Sequence, residues 1–398
     1  MAGTELERRL RARFSRSNVG QAWAEPKNNA DEDSSDDEEE SFAQDLLANS
    51  DRLIAGRGGA NLRPGNIFAL RCKDANQHDP SKAVVRSVQF HSSGELLLTA
   101  GLDKTLRFFQ VDGEENSKVH GVMLKDLPIT QAAFTADDQV ILSGDKPHFY
   151  YYDVQSGVVQ RVPSIRNAAG KAQSTLAKFA LSPNGEWIAF AASAGYIMLV
   201  SAKTKQWAAD FKLNCSVEAL VFSPDSRYIL ASGRDAEVYK FDVRHSRCVQ
   251  RMYNEGGTGT TGLDISPPQP HRYMAVGSES GVVNIYDSVA ATAASAGSIG
   301  VYRPKPLHAI MNLTTPATIV KFNSDSQVLA IASSEKKDAL RLVHVTTGTV
   351  FANWPTQRTP LGYPFCLDFS PSSNFLAVGN DKGRVLLYRL IPYSGTRA

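Results

Sequence analysis

The sequence predicts an all-β protein: a seven-bladed β-propeller carrying a largely disordered amino-terminal arm. Three observations predict it. A unit of three short strands and two turns, seen first at Val88–Val111, occurs seven times. The apolar residue before the first turn of each copy falls at 90, 134, 181, 222, 265, 322 and 369, mostly 41 to 47 residues apart. A fourth strand-like segment lies between each third strand and the next copy, and repeats of this length are the signature of four-stranded blades arranged in a ring.

The first copy sets the pattern. Val88-Gln89-Phe90 alternates, His91-Ser92-Ser93-Gly94 is turn chemistry, Leu96-Leu97-Leu98 is a buried run, Gly101-Leu102-Asp103-Lys104 turns again, and Leu106–Val111 is the third strand. The fourth copy repeats it as Leu220-Val221-Phe222-Ser223-Pro224-Asp225, then Tyr228–Gly233, then Val238–Asp242. Fourth-strand candidates are Val158–Val162, Cys248–Tyr253, Leu307–Leu313 and Val350–Trp354. The one long interval, 57 residues between the fifth and sixth copies, is explained by Ser288–Pro304, an inserted loop of small residues. Only Ile391–Ala398 follows the third strand of the seventh copy. Asn66–Arg71, ahead of the first copy, is strand-like and is expected to supply the missing outer strand, pairing Ile67–Arg71 with Arg384–Arg389. A closed ring leaves no open sheet edge between its first and last blades. The expected divisions are therefore an arm at 1–64, a propeller at 65–393 and a tail at 394–398.

The arm differs in kind. Residues 1–64 hold 9 Lys/Arg against 13 Asp/Glu, leaving 34 bases against 28 acids in the rest. Asp31–Glu40 has eight acids in ten residues, a composition that repels itself and stays disordered. Ser34 and Ser35 within it are candidate phosphosites for an acid-directed kinase. Residues 4–16 form a candidate amphipathic docking helix: Leu6, Leu10 and Phe14 share one face, and Arg9 and Arg13 lie among the arginines on the others.

Composition narrows the function classes. No signal peptide opens the chain and no apolar run approaches the roughly 20 residues of a membrane span, so an intracellular protein away from membranes is expected. Cys72, Cys215, Cys248 and Cys366 are far apart without CxxC spacing, and reduced, buried thiols are expected rather than zinc or disulfides. There is no GxSxG, HExxH or P-loop pattern, and Gly256-Gly257-Thr258-Gly259 lacks the following Lys-Ser/Thr. The histidines are scattered, with His91 and His271 in turns and His344 at a strand end. No catalytic residue, metal, cofactor or small-molecule substrate is expected. Asp103, Asp145, Asp235 and Asp381 are placed as turn-formers. The turn bases Lys104, Lys146, Arg234, Lys336, Lys337 and Lys382 share one face with the interblade loops that carry Lys82, Arg166, Lys171 and Arg358. Of these, Lys104, Arg234, Lys336 and Lys337 are the candidate partner or RNA contacts, although neighbouring acids largely cancel the local field.

The period, the Phe-Ser-Pro-Asp-like turns and the Tyr152-Asp153, Phe241-Asp242 and Tyr286-Asp287 pairs resemble the WD-repeat family. Trp-Asp and Gly-His are absent, which leaves the side-chain network of standard repeats open. Longer strings narrow the resemblance. TAGLDKTLR in Leu96–Gly113, SGVVNIYD around Gly281–Tyr286, Lys305–Leu313, Leu340–His344, Gly379–Gly383 and the early RLRARF with Trp23-Ala24 resemble the U-three small nucleolar RNA-associated protein eighteen family of the small-subunit processome. That resemblance runs from about Leu46 to Tyr393. It implies a nucleolar, non-enzymatic scaffold in early pre-18S rRNA processing. The implied partners are other propeller proteins, and the U-three RNA particle and pre-ribosomal RNA, directly or through companions. The Leu-Phe-x-hydrophobic-Asp motif by which some members recruit the exosome helicase is not found in residues 1–64. The alternative is another propeller adaptor, such as a ubiquitin-ligase substrate receptor or a histone-binding subunit.

Overall fold

The computed structural model describes residues 62–166, 175–267, 273–288, 301–355 and 360–393. The candidate arm residues Leu6, Arg9, Leu10, Arg13, Phe14, Ser34 and Ser35 lie outside them, as do Lys171, His271, Arg358, the tail 394–398 and most of the inserted loop. The described residues form seven four-stranded antiparallel sheets. In the first, Val85–Phe90, Leu96–Gly101, Thr105–Gln110 and Lys118–Met123 run in order from the inside outward. The innermost strands pack side by side around the axis, and that of the seventh blade, Pro364–Phe369, meets that of the first.

Why these segments are strands follows from where their side chains go. The middle strands are buried on both faces, as in Val328–Ala332, so they read as unbroken apolar runs. Their cores lie between blades. Leu98, Leu106 and Phe108 of the first blade pack with Ala132, Val140 and Leu142 of the second. Val88, Phe90 and Leu97 pack with Ala377, Val385 and Leu387 of the seventh. Each blade thus completes its neighbour's core, which is why one unit alone cannot fold. Outer strands are more exposed and uneven in length, from seven residues at Arg247–Tyr253 to two at Thr349–Val350. Leu307–Leu313 contributes only His308–Ile310, and Val350–Trp354 is replaced by Thr349–Val350. The chain returns from the insertion onto the fourth blade: Tyr302 donates its N–H to Arg251 and accepts from that of Tyr253, a parallel bridge to the outer strand Arg247–Tyr253.

The seventh blade takes its outer strand from the start of the described chain. Ala69–Arg71 pairs with Val385–Leu390 in the register Ala69↔Leu390, Leu70↔Arg389, Arg71↔Tyr388. Ile67, 1% exposed, sits in the core between the sixth and seventh blades with Phe351, Trp354, Leu361 and Tyr388. The Asn353 side chain accepts from the Ile67 N–H at 3.0 Å and donates to its carbonyl at 2.7 Å.

Candidate interaction surfaces

The short turns between second and third strands share one end of the ring with the interblade loops, because strands within a blade alternate in direction. Two of the four acids bond within their own turn: Asp103 accepts from the Thr105 N–H and Asp235 from that of Glu237. In the seventh blade Asn380 takes that part, accepting from the Lys382 and Arg384 N–H groups, while Asp381 accepts from the Tyr363 N–H of the preceding interblade loop. Asp338, not singled out from the sequence, does the same for Leu361 and Gly362.

The bases are less uniform than the sequence expectation. Arg234 is exposed and lies 3.3 Å from Glu218, which also binds Lys178 at 2.9 Å. Lys104, held at φ +62°, donates to the Lys125 carbonyl, and Lys336 donates to the Thr314 hydroxyl. Lys337 lies in the same turn as Lys336. These four residues belong to the first, fourth and sixth blades, so at least one blade separates any two turns. The topology brings them to one end of the ring without collecting them into one patch.

In place of Trp-Asp and Gly-His, the blades are tied by networks of other residues. In the first, Arg107 (side chain 7% exposed) binds Asp103 at 2.6 Å and Asp79 at 2.9 Å, and Lys118 binds Asp79 at 2.6 Å. Burial works to raise the Asp79 carboxyl, but the hydrogen bonds from Lys118 and Arg107 outweigh it and hold the group below its ordinary value. In the fifth, the buried Tyr286 hydroxyl donates to Asn254 and accepts the Glu255 N–H, while Asn284 donates to Asn254 and to the Glu255 carbonyl.

A second surface lines the axis, and sequence reasoning passed over it. The residue just before each pre-turn apolar position is Gln89, Ala133, Ala180, Val221, Asp264, Lys321 and Asp368, and all seven are half-buried. The free edge of an innermost strand presents N–H groups that need acceptors. Gln89 accepts from the Phe134 N–H at 2.8 Å, Asp264 from that of Phe322 at 2.7 Å and Asp368 from that of Phe90 at 2.9 Å, each one blade onward. Lys321 lies between the two carboxylates, 4.0 Å from Asp368, beside a cavity of about 190 Å³. Two acids share one base there. Desolvation pushes both carboxyls up against the pull of Lys321, while Asp264 first and Asp368 also push the ammonium up. The available signal was a polar residue at a fixed repeat position in the fifth, sixth, seventh and first blades, facing alanine and valine in the other three.

Among the described residues, no group of three or more His, Cys, Asp and Glu side chains could hold a metal ion, and no helix is long and apolar enough to cross a membrane. The four cysteines are free, but only Cys366 is buried, its thiol pushed up to about 12 by desolvation. Cys72 and Cys215 are half-buried and Cys248 is exposed. The expectation of four buried thiols is corrected on this point: Cys248 falls on an outer strand, which has only one neighbouring strand to cover it.

Comparison with known proteins adds what geometry cannot. Residues 72–110 match the model of the WD domain, G-beta repeat. The chain is 40% identical over 397 residues to an Arabidopsis thaliana protein named U3 small nucleolar RNA-associated protein 18 homolog, covering 99% of this chain and 70% of that one. The chain belongs to the U3 small nucleolar RNA-associated protein 18 family. The Homo sapiens member is 37% identical, covering 88% of this chain and 61% of its own. The Saccharomyces cerevisiae member is 31% identical, covering 83% and 62%. The chain therefore spans about two thirds of the length of these relatives. A WD propeller in this family points to a non-catalytic protein. Residues 188–294 also match the cytochrome D1 heme domain. The one described histidine in that span, His245, lies exposed in a turn with its Nδ1 2.9 Å from Asp242 Oδ2.

Proposed function

We propose that this chain is a non-enzymatic scaffold of the small-subunit processome, acting in the nucleolus with the U3 small nucleolar RNA particle in early pre-18S rRNA processing. The observation that carries the reading is likeness along 99% of the chain to a protein named for association with that RNA. The fold supports it. A ring whose blades share their cores is a rigid body with many loop surfaces.

In this reading the turn end bearing Lys104, Arg234, Lys336 and Lys337 meets companion propeller proteins or RNA. The arm, through Leu6, Arg9, Leu10, Arg13 and Phe14, is a second docking element regulated by phosphorylation at Ser34 and Ser35. Contact with pre-ribosomal RNA is direct or through companions. Depletion tests the proposal. The early pre-rRNA cleavages and 18S rRNA are expected to fall and to be restored by the wild-type chain, and normal cleavage after depletion would overturn it.

A further inference from the structure

The outer strand of the fourth blade, Arg247–Tyr253, carries a run of cations that no other outer strand matches. Arg244 lies in the turn that leads into it, Arg247 and Arg251 lie on it, and Arg303 and Lys305 lie on the segment that returns beside it. Two carboxylates stand nearby and both are engaged. Glu237 binds Arg251 at 2.9 Å, and Asp242 lies 2.9 Å from the His245 ring and accepts from the Arg244 and His245 N–H groups. Arg244, Arg247, Arg303 and Lys305 are exposed and have no ion pair among the described residues. Residues 289–300 of the insertion contain no charged side chain that could neutralise them. On other outer strands the cations are single or absent: Lys118 is held by Asp79 and Arg71 by Asp74, while His308–Ile310 and Thr349–Val350 carry no Lys or Arg.

Charge on an outer strand ordinarily guards an open edge against pairing. This edge is already closed where Tyr302 lies along it, accepting from the Tyr253 N–H at 2.8 Å and donating to the Arg251 carbonyl at 2.9 Å. The charges are therefore surplus to edge protection. Arg303 stacks over the Tyr253 ring at 4.9 Å. A guanidinium held flat presents a fork of donors that matches phosphate oxygens and a face on which a nucleobase stacks. Four of the five cations are arginine, the side chain suited to both contacts. From Arg247 to Tyr253 the strand runs about 20 Å at roughly 3.3 Å per residue, so the charges form a line along the rim.

We propose that the outer edge of the fourth blade is a binding site for single-stranded RNA. Backbone phosphates lie on Arg244, Arg247, Arg303 and Lys305, and a base packs against the Arg303–Tyr253 stack. This rests on the scaffold reading, which brings the chain to RNA, and deepens it by placing a direct contact on the rim of one blade, away from the turn end. An acidic protein segment would offer carboxylates to the same cations but no flat face to the ring-backed Arg303, so the arrangement favours RNA.

Fluorescence anisotropy of the full chain with a fluorescein-labelled oligouridine tests the site. Arg247→Gln, Arg303→Gln and Lys305→Gln in one chain are expected to weaken binding at least tenfold. They should also flatten the slope of log K against log salt by about 2, since each phosphate contact of a single strand contributes about 0.7. Lys73→Gln, Lys203→Gln and Arg384→Gln, also exposed, make the same charge change elsewhere and are expected to stay within threefold of wild type. All six positions are on the surface, so thermal midpoints are expected at the wild-type value. Tyr253→Leu removes the ring behind Arg303, keeps every charge, and is expected to cost at least threefold. Equal losses from the two triples, or no loss from the first, would overturn the proposal. Polyglutamate that competes as well as oligouridine would also overturn it, in favour of an acidic protein. A tenfold gain in RNA affinity when the eight acids of residues 31–40 are replaced by serine would assign the edge to that stretch instead; unchanged affinity is expected. Depletion, scored separately, keeps the two readings apart. A chain that binds oligouridine through this edge, yet whose depletion leaves pre-rRNA cleavage normal, keeps the site and loses the scaffold role. A chain whose triples bind alike while its depletion blocks cleavage keeps the scaffold role and loses the site.

Discussion

Replacing Ile67 by alanine tests whether the segment entering the ring locks it. Ile67 is 1% exposed and fills space between the sixth and seventh blades against Phe351, Trp354 and Tyr388. Truncating such a side chain costs about 3 kcal/mol, the lost transfer energy plus the cavity left behind. For a propeller of about 330 residues the unfolding entropy is about 0.7 kcal/mol/K, so the thermal midpoint should fall by about 4 °C. Phe68→Ala, one residue away and 57% exposed, should change stability by less than about 0.5 kcal/mol and move the midpoint by under about 1 °C. Circular dichroism melts of both variants and wild type read the difference. Because the blades share their cores, the Ile67→Ala loss should displace the whole transition. Equal midpoints for the two variants, or a small early step followed by a wild-type main transition, would show that the segment is an ornament on a ring that closes without it.

Three further outcomes follow from the polar networks. Lys321→Met leaves Asp264 and Asp368 without their shared ammonium, and after allowance for the 45% exposure of Lys321 the cost is about 1–2 kcal/mol at neutral pH. Both carboxyls already lie above their ordinary value when folded, so stability falls as the pH rises from that ordinary value to the raised one, and the whole cost is present above it. The deficit of Lys321→Met should therefore shrink as pH falls through the raised carboxyl range, and a deficit that grows on acidification in pH-dependent melts would contradict the assignment. Arg107→Ala strands the buried Asp103 and should cost about 3 kcal/mol by denaturant titration, with Arg107→Lys recovering less than half because it cannot span both Asp103 and Asp79. Tyr286→Phe leaves the Glu255 N–H and an Asn254 oxygen short of a partner at about 1–2 kcal/mol, read by the same titration.

The repeat was legible in sequence because the features that mark it are local. An apolar residue, a turn and a buried run recur in fixed order, and Phe90, Phe222 and Phe369 all end innermost strands. The outer strands were harder to place. They bury only part of their surface, so alternation fades, and Thr349–Val350 is too short to show any period. The return of Tyr302 to the fourth blade carried no signal, since it depends on a bridge between segments 50 residues apart. Turn bases such as Lys104 and Arg234 were correctly assigned to turns, because glycine and aspartate mark turns locally. That they stand on separate blades follows only once the copies are counted around the ring. The axial charges had a signal that went unused: Asp264, Lys321 and Asp368 interrupt strands whose other residues are mostly apolar. Read strand by strand each looks like ordinary solvent-facing alternation, and only the ring places them together.

The pairing of Ala69 with Leu390 has a consequence in time as well as in space. A ribosome must add 390 − 69 = 321 residues after the closing strand has been made before its partner exists. At about 5–20 residues per second this is roughly 16–64 s. Throughout that interval Phe68, Ala69 and Leu70 are a strand without a sheet, and blades already synthesised can pack sequentially while the ring stays open like an unclasped bracelet. Loss of the last strand would therefore act on both sides of the seam at once, freeing Ala69–Arg71 as well as the remaining strands of the seventh blade. A nonsense codon near residue 384 should behave as a failure of closure, with aggregation during synthesis, rather than as the removal of a short tail.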